Sequence, residues 1–250
     1  ADELTRRGFI VLRTDDRGTG KTNGVYEMAT TRDFARDAQA GIDYLKSRPE
    51  TDKGRIGVIG HSEGGQVAFM LGAESPDVSF VISLAGVGVN GLQILELQNK
   101  AILETTPGIT PDQVDKFMDL FNTLFRTVHD VPLDQSLDQP LRVAFDKWVA
   151  SQDEAGLKAV NFTNGREESF FSRYLYQAQS RWYREMIQYN PADYIPKITH
   201  PVLALGGDRD IMVPSVENLA SIKQLLEEGG NTRYKIVELP GLNHMFQRCI

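Results

Sequence analysis

The chain has 250 residues, with 27 Lys and Arg against 34 Asp and Glu for a formal net charge of −7, and it is 41% hydrophobic and 24% charged. That length can bury one good core, with or without an inserted cap, and the composition is that of an ordinary globular protein. The acidic balance argues against nucleic acid or an anionic membrane surface as partner, and no apolar run approaches the roughly 20 residues of a bilayer span. The single cysteine, Cys249, excludes an intramolecular disulfide framework and argues against a cysteine-based metal site. It selects neither a cytoplasmic nor an exported (periplasmic) location.

In chain order, residues 1–7 read as the tail of a helix that ends in Arg6-Arg7 and stops at Gly8. Phe9-Ile10-Val11-Leu12 reads as a short apolar strand, followed by a polar loop, Thr14 to Thr22, punctuated by Gly18 and Gly20. The ending Gly20-Lys21-Thr22 resembles a phosphate loop only superficially, because the first glycine of G-x-x-x-x-G-K-[ST] would fall at Asp15. Thr31 to Ser47 is a helix capped by Thr30 or Thr31, with Phe34, Ala38, Ile42 and Leu45 on one face and Pro49 beyond its end. Ile56–Ile59 is an uncharged strand, Gly60-His61-Ser62-Glu63-Gly64 is a sharp turn, and Gln66–Leu71 opens an apolar helix. Val78–Leu84 is another buried strand, so residues 1–90 follow the strand–helix rhythm of a parallel sheet with helices on both faces.

From about residue 91 to 190 that rhythm gives way to helical patterns at Leu92–Leu103, Pro111–Val128 (capped by Thr110), Pro140–Ala150 and an aromatic-rich stretch, Ser169–Gln188. This segment is expected to be a helical cap inserted over the sheet's carboxyl edge, although aromatics at helical spacing are more often plain core. Residues 191–250 resume the sheet with strands at Pro201–Leu205 and Tyr234–Leu239 around a helix at 215–228.

Gly60-x-Ser62-x-Gly64 between strand and helix fits a nucleophile elbow, in which Ser62 is the nucleophile and the backbone N–H of Glu63 binds an oxyanion at a helix N-terminus. The competing reading is that Ser62 simply caps the helix. A nucleophilic serine needs a base and an acid to orient that base. Of the four histidines, only His244 lies late in the chain in a loop after a strand's carboxyl end; His61, His129 and His200 are placed wrongly. Asp208 and Asp210 compete for the acid, and Asp210, which precedes Ile211-Met212-Val213-Pro214, is preferred. The order Ser62, Asp210, His244 is that of α/β-hydrolases. Asp16 and Arg17 are expected to brace the neighbouring loops by ion pairing.

The elbow, the Asp16–Lys21 loop, the Gly207–Pro214 loop and Leu239-Pro240-Gly241-Leu242-Asn243-His244 together resemble the α/β-hydrolase superfamily. More narrowly they resemble bacterial esterases related to the dipeptidyl-peptidase and acylaminoacyl-peptidase hydrolases. The resemblance covers nearly the whole chain outside the helical insertion. It implies a mostly parallel, doubly wound sheet and a serine hydrolase acting on a small-molecule carboxylic ester, with no metal or organic cofactor. A peptidase of the same type and a catalytically inactive hydrolase-like binding protein are the alternatives. Oligomeric state is not legible. The family pattern also includes strands before residue 1, a His-Gly-x-Gly loop that supplies a second oxyanion donor, and a final helix after the histidine loop. None of these occurs here, so the chain reads as part of a longer protein.

Overall fold

The computed structural model describes residues 1–249. The chain forms two compact units: residues 1–88, 191–206 and 218–238 make the first, and residues 89–190, 207–217 and the segment from Leu239 onward make the second. The segment expected as a separate cap thus clusters with the two loops that carry Asp210 and His244.

The first unit holds helices α1 (Asp2–Arg6), α2 (Thr31–Ser47) and α3 (Glu63–Glu74) and, but for the last residue of β3 and of β4, the sheet strands β1 (Gly57–His61), β2 (Phe80–Leu84), β3 (Val202–Gly207) and β4 (Tyr234–Leu239), in the order β1-β2-β3-β4. β1 pairs with β2 and β2 with β3 in parallel, with Gly60 opposite Ser83 and Ser83 opposite Ala204. The α3 sequence is apolar nearly all round, and residues 65–72 are buried, as expected of a helix packed between a sheet and another helix. Phe69 and Ala204 are fully buried and Val81 nearly so; each large side chain of this kind stabilises the fold by about 1.5–3 kcal/mol. α2 begins where expected because Thr30 and Asp33 form a reciprocal capping box.

One expected strand does not form. Phe9–Leu12 joins no ladder among the described residues, and Phe9 and Ile10 are about half exposed. A strand exists only by pairing with a neighbour. Here the described ladder partner of β1 is β2, and Leu12 lies beside Gly41 of α2 instead.

His200, at the start of β3, has a side-chain Nε2 that is buried without a hydrogen-bond partner. Burial, and then the charge of Arg233, push its pKa below the usual 6.5. The neutral form is therefore the one the fold prefers. This contribution to stability is complete above about pH 6.5 and is lost as pH falls below that value, where the unfolded chain takes up the proton first. Urea midpoints of the parent should fall between pH 7.5 and 5.5, and His200→Leu should shrink that difference. An undiminished difference in the variant would assign the pH response to other groups.

The second unit contains α4 (Gly91–Thr105), α5 (Pro111–Asp130), α6 (Asp138–Ala150), α7 (Glu154–Ala159), α8 (Arg166–Ala178) and α9 (Arg181–Ile187). α10 (Ser215–Glu228) starts in its Gly207–Glu217 segment and continues in the first unit. α5 runs from a Thr110–Gln113 capping box and Pro111, and it buries Leu120, Leu124 and Val128 on one stripe. The stretch expected as one helix over Ser169–Gln188 is two, because Ser180 caps a new helix by accepting a hydrogen bond from Tyr183 N. Its aromatics are largely core: Phe171 and Tyr174 are buried, with Phe145 and Phe171 ring centroids 5.0 Å apart, whereas Tyr176 is exposed. Burial raises the Tyr183 phenol to about 12 and also raises its neighbour Tyr174, so this pair stays neutral at ordinary pH. Arg184, buried, donates to the carbonyls of Val131, Pro132 and Gln135 and so closes the carboxyl end of α5 and the turn after it. No helix of the described residues is long and apolar enough to cross a membrane.

Candidate active site

The elbow is built on two close backbone approaches. Ser62 sits at φ 56°, ψ −119°, a region costly for a residue with a side chain, between β1 and α3. Its N–H donates to Leu84 O at 2.9 Å, which ties the turn to the end of β2. A Cβ at Gly60 would overlap the Gly64 carbonyl, and one at Gly65 would come 2.5 Å from Gly86 Cα. Gly64 has nothing within 4 Å. The sequence pattern places its glycines two before and two after the serine, but the sterically obligatory pair here is Gly60 and Gly65. Ser62 occupies the N-cap position of α3, yet its side chain makes no capping hydrogen bond. The hydroxyl is therefore not used in the way the helix-cap reading requires. The Glu63 N–H is the first amide of α3, where the helix dipole favours negative charge.

The loops that carry Asp210 and His244 lie in the second unit. Asp210 is on the loop after β3, and the solvent exposure of its side chain is 0%. Its Oδ1 accepts from Met212 N and Val213 N at 2.8 Å each, and its Oδ2 accepts from His244 Nδ1 at 2.8 Å. An ionised carboxylate removed from water needs such donors. The bond to Nδ1 selects the tautomer in which Nε2 is the basic nitrogen. Asp208, the other candidate, does something else: its Oδ1 accepts from Gly241 N at 2.6 Å, joining the Asp210 loop to the His244 loop. Arg209 N donates to Leu242 O at 3.0 Å, and a Cβ at Gly207 would overlap Leu242 O, so the two loops touch backbone to backbone.

The other singled-out residues are placed as follows. His61 ends β1, immediately before Ser62. His129, near the end of α5, pairs with Asp130, Nδ1 to Oδ1 at 3.0 Å. Arg17 braces its loop against α2 through Asp37 (2.7 and 2.6 Å) and Asp33 (3.2 Å). Burial opposes the Asp33 charge, but bonds from Arg36 and Thr30 and the nearby Arg17 outweigh it and hold its carboxyl below the usual range. Three contacts are not foreshadowed in the sequence. Asn243 Oδ1 accepts from Met245 N and Gln247 N at 3.0 Å, an Asx turn that shapes the histidine loop. Gln98 of α4 donates to Met212 O at 3.1 Å in the loop that carries Asp210. Thr31 Oγ1 donates to Glu63 Oε1 at 2.6 Å. Asn243 could have been noticed as an asparagine beside His244; the other two are pairings distant in sequence that carry no local signal.

A family described as serine aminopeptidase, S33, matches residues 1–127. YtaP of Bacillus subtilis (strain 168), a protein that carries a hydrolase name, is 30% identical over 95 residues, 34% of this chain and 32% of its own. The match therefore spans about a third of that relative's length. Among solved structures, the Pyrococcus furiosus esterase PF2001 superposes with a TM-score of 0.51 at 19% identity, covering 95% of this chain and 63% of that one. VinJ superposes with a TM-score of 0.54 at 17% identity, covering 97% and 76%. At such identities the structural likeness speaks for the fold. With its family match spanning half its length, the chain belongs to the serine aminopeptidase S33 family and has the α/β-hydrolase fold.

Proposed function

We propose that the chain carries the machinery of a serine hydrolase acting on carboxylic esters. Ser62 Oγ bonds to the ester carbonyl carbon as its proton passes to His244 Nε2. Asp210 holds the imidazole and stabilises its cationic form. The Glu63 N–H stabilises the tetrahedral oxyanion. Collapse breaks the bond to the alkoxide, which leaves with the proton from Nε2. Water, deprotonated by the same nitrogen, then releases the acid and restores Ser62. The observation that carries this reading is a serine held at φ 56° on a strand-to-helix turn with its hydroxyl unused as a cap; the chain order serine, aspartate, histidine adds to it.

Esters are preferred on chemical grounds: an alkoxide leaves with little protonation, whereas an amine must be protonated as the bond breaks. The family description favours a second reading, release of amino-terminal residues from peptides. Turnover of p-nitrophenyl butyrate and of aminoacyl p-nitroanilides should be measured side by side, together with labelling by a fluorophosphonate. Ester turnover at least a hundredfold above anilide turnover is expected, and the label should sit on Ser62. Ser62→Ala should lose both label and turnover. A folded parent that takes no label would instead be the inactive, hydrolase-like binding protein.

A further inference from the structure

Glu63 presents an electrostatic difficulty. Its backbone N–H is the proposed oxyanion donor, yet the same residue carries a carboxylate one position after the nucleophile. A negative charge free to swing toward the developing oxyanion would oppose it, because Coulomb repulsion at a few ångströms in a partly desolvated site is substantial. In the structure that carboxylate is engaged elsewhere. Glu63 Oε1 accepts a hydrogen bond from Thr31 Oγ1 at 2.6 Å. Thr31 is 7% exposed and is the first residue of α2, so the Glu63 side chain meets a helix N-terminus that favours its charge.

The anchor is itself held rigidly. Thr30, beside it, is fully buried and shares the capping box with Asp33. Asp33 and Asp37 in turn receive Arg17 from the preceding loop. Every link of this chain, from Arg17 through α2 to Glu63, lies in the first unit.

We infer that Thr31 is a positioning residue: its hydroxyl latches the Glu63 carboxylate to the amino end of α2. The latch fixes the direction of the Glu63 N–H and keeps the side-chain charge away from the oxyanion. The inference rests on Ser62 being the nucleophile.

The test is steady-state turnover of p-nitrophenyl butyrate, expressed per site titrated with a fluorophosphonate, with thermal midpoints measured alongside. Thr31→Val keeps the shape and removes the donor, and it should lower kcat about tenfold with KM within twofold. Outright loss of a donor costs roughly 10²–10³, and a misdirected donor retains part of its effect. Thr31→Ser, which restores the hydroxyl, should return kcat to within threefold of the parent. Glu63→Ala should also cost about tenfold, and the double variant Thr31→Val/Glu63→Ala should match Glu63→Ala alone, because the two residues act through one contact. A threonine that merely supported the fold would lower the thermal midpoint and the number of titratable sites while leaving kcat per site unchanged. The latch is overturned if kcat per site in Thr31→Val stays within twofold of the parent, or if the two losses multiply in the double variant. Should Thr31→Val not fold, Glu63→Ala decides: a kcat within twofold of the parent counts against the latch. Retained activity in Ser62→Ala removes the nucleophile reading and the latch with it. Loss of activity in Ser62→Ala with full activity in Thr31→Val removes the latch alone.

Discussion

Asp210→Asn should lower kcat for p-nitrophenyl butyrate by about 10⁴, as the equivalent change does in serine proteases, with little change in thermal midpoint. The size follows from how Asp210 is held. Its Oδ1 faces two backbone donors, Met212 N and Val213 N, and its Oδ2 faces His244 Nδ1. An asparagine at this position must keep its carbonyl oxygen toward the two N–H groups, since turning the amide over would set donor against donor. Its NH₂ is then presented to Nδ1, which becomes an acceptor, and the ring proton moves to Nε2. That tautomer cannot take the serine proton. Volume and packing are conserved, so the loss should appear in chemistry rather than in folding. A variant that retained more than a tenth of the parent's kcat would remove Asp210 from the mechanism. Asp208→Asn is the useful contrast, because an amide oxygen can still accept from Gly241 N; its kcat should stay within about fivefold of the parent's, as expected when a tether's hydrogen bond is conserved.

Gly60→Ala should destabilise the protein by about 3 kcal/mol or more, while Gly64→Ala should be neutral or stabilise it by a few tenths of a kcal/mol. At Gly60 the new methyl would overlap the Gly64 carbonyl and lie 2.7 Å from Gly65 N. These are backbone atoms of the elbow and cannot turn aside as a side chain can, so the overlap is at the severe end of overpacking. Against a total stability of about 5–15 kcal/mol, much of the Gly60→Ala protein should be unfolded or insoluble at 37 °C. At Gly64 the space is open and the residue is already helical, so alanine mainly lowers the entropy lost on folding. Urea unfolding of the two variants measures the difference directly. Similar midpoints would mean that the motif's glycines are not distinguished by sterics.

That contrast indicates what was legible in the sequence. The three glycines at 60, 64 and 65 announce a tight turn, but which of them is locked depends on Gly86 and on the path of α3, neither of which is local. Helix ends were readable where a cap marks them: Thr30 and Thr110 begin α2 and α5 at the expected residues. Ser180 is also a cap, but embedded in an aromatic run it reads as one more helical position, so α8 and α9 merge in the sequence. Phe9–Leu12 has the composition of a strand without the ladder, because pairing is a property of the neighbour and not of the segment. The acid and base candidates were legible from loop position and order. The contacts that hold them, Asp208 to Gly241 and Gln98 to Met212, join segments 33 and 114 residues apart and leave no trace in local pattern.

The way Asp210 is oriented also has a consequence for how such a protein diversifies. Both donors on its inner oxygen are main-chain amides, so no side chain at 211, 212 or 213 is required to aim it. Ile211 and Met212 are each 38% exposed. Their identities are thus decoupled from the aim of the Asp210 carboxylate, and positions 211 and 212 can drift, or be randomised in a library, while the Asp210–His244 pair stays in register. Any non-proline residue at 212 supplies the same amide, whereas Val213, buried in the core, supplies the second from a position held by packing.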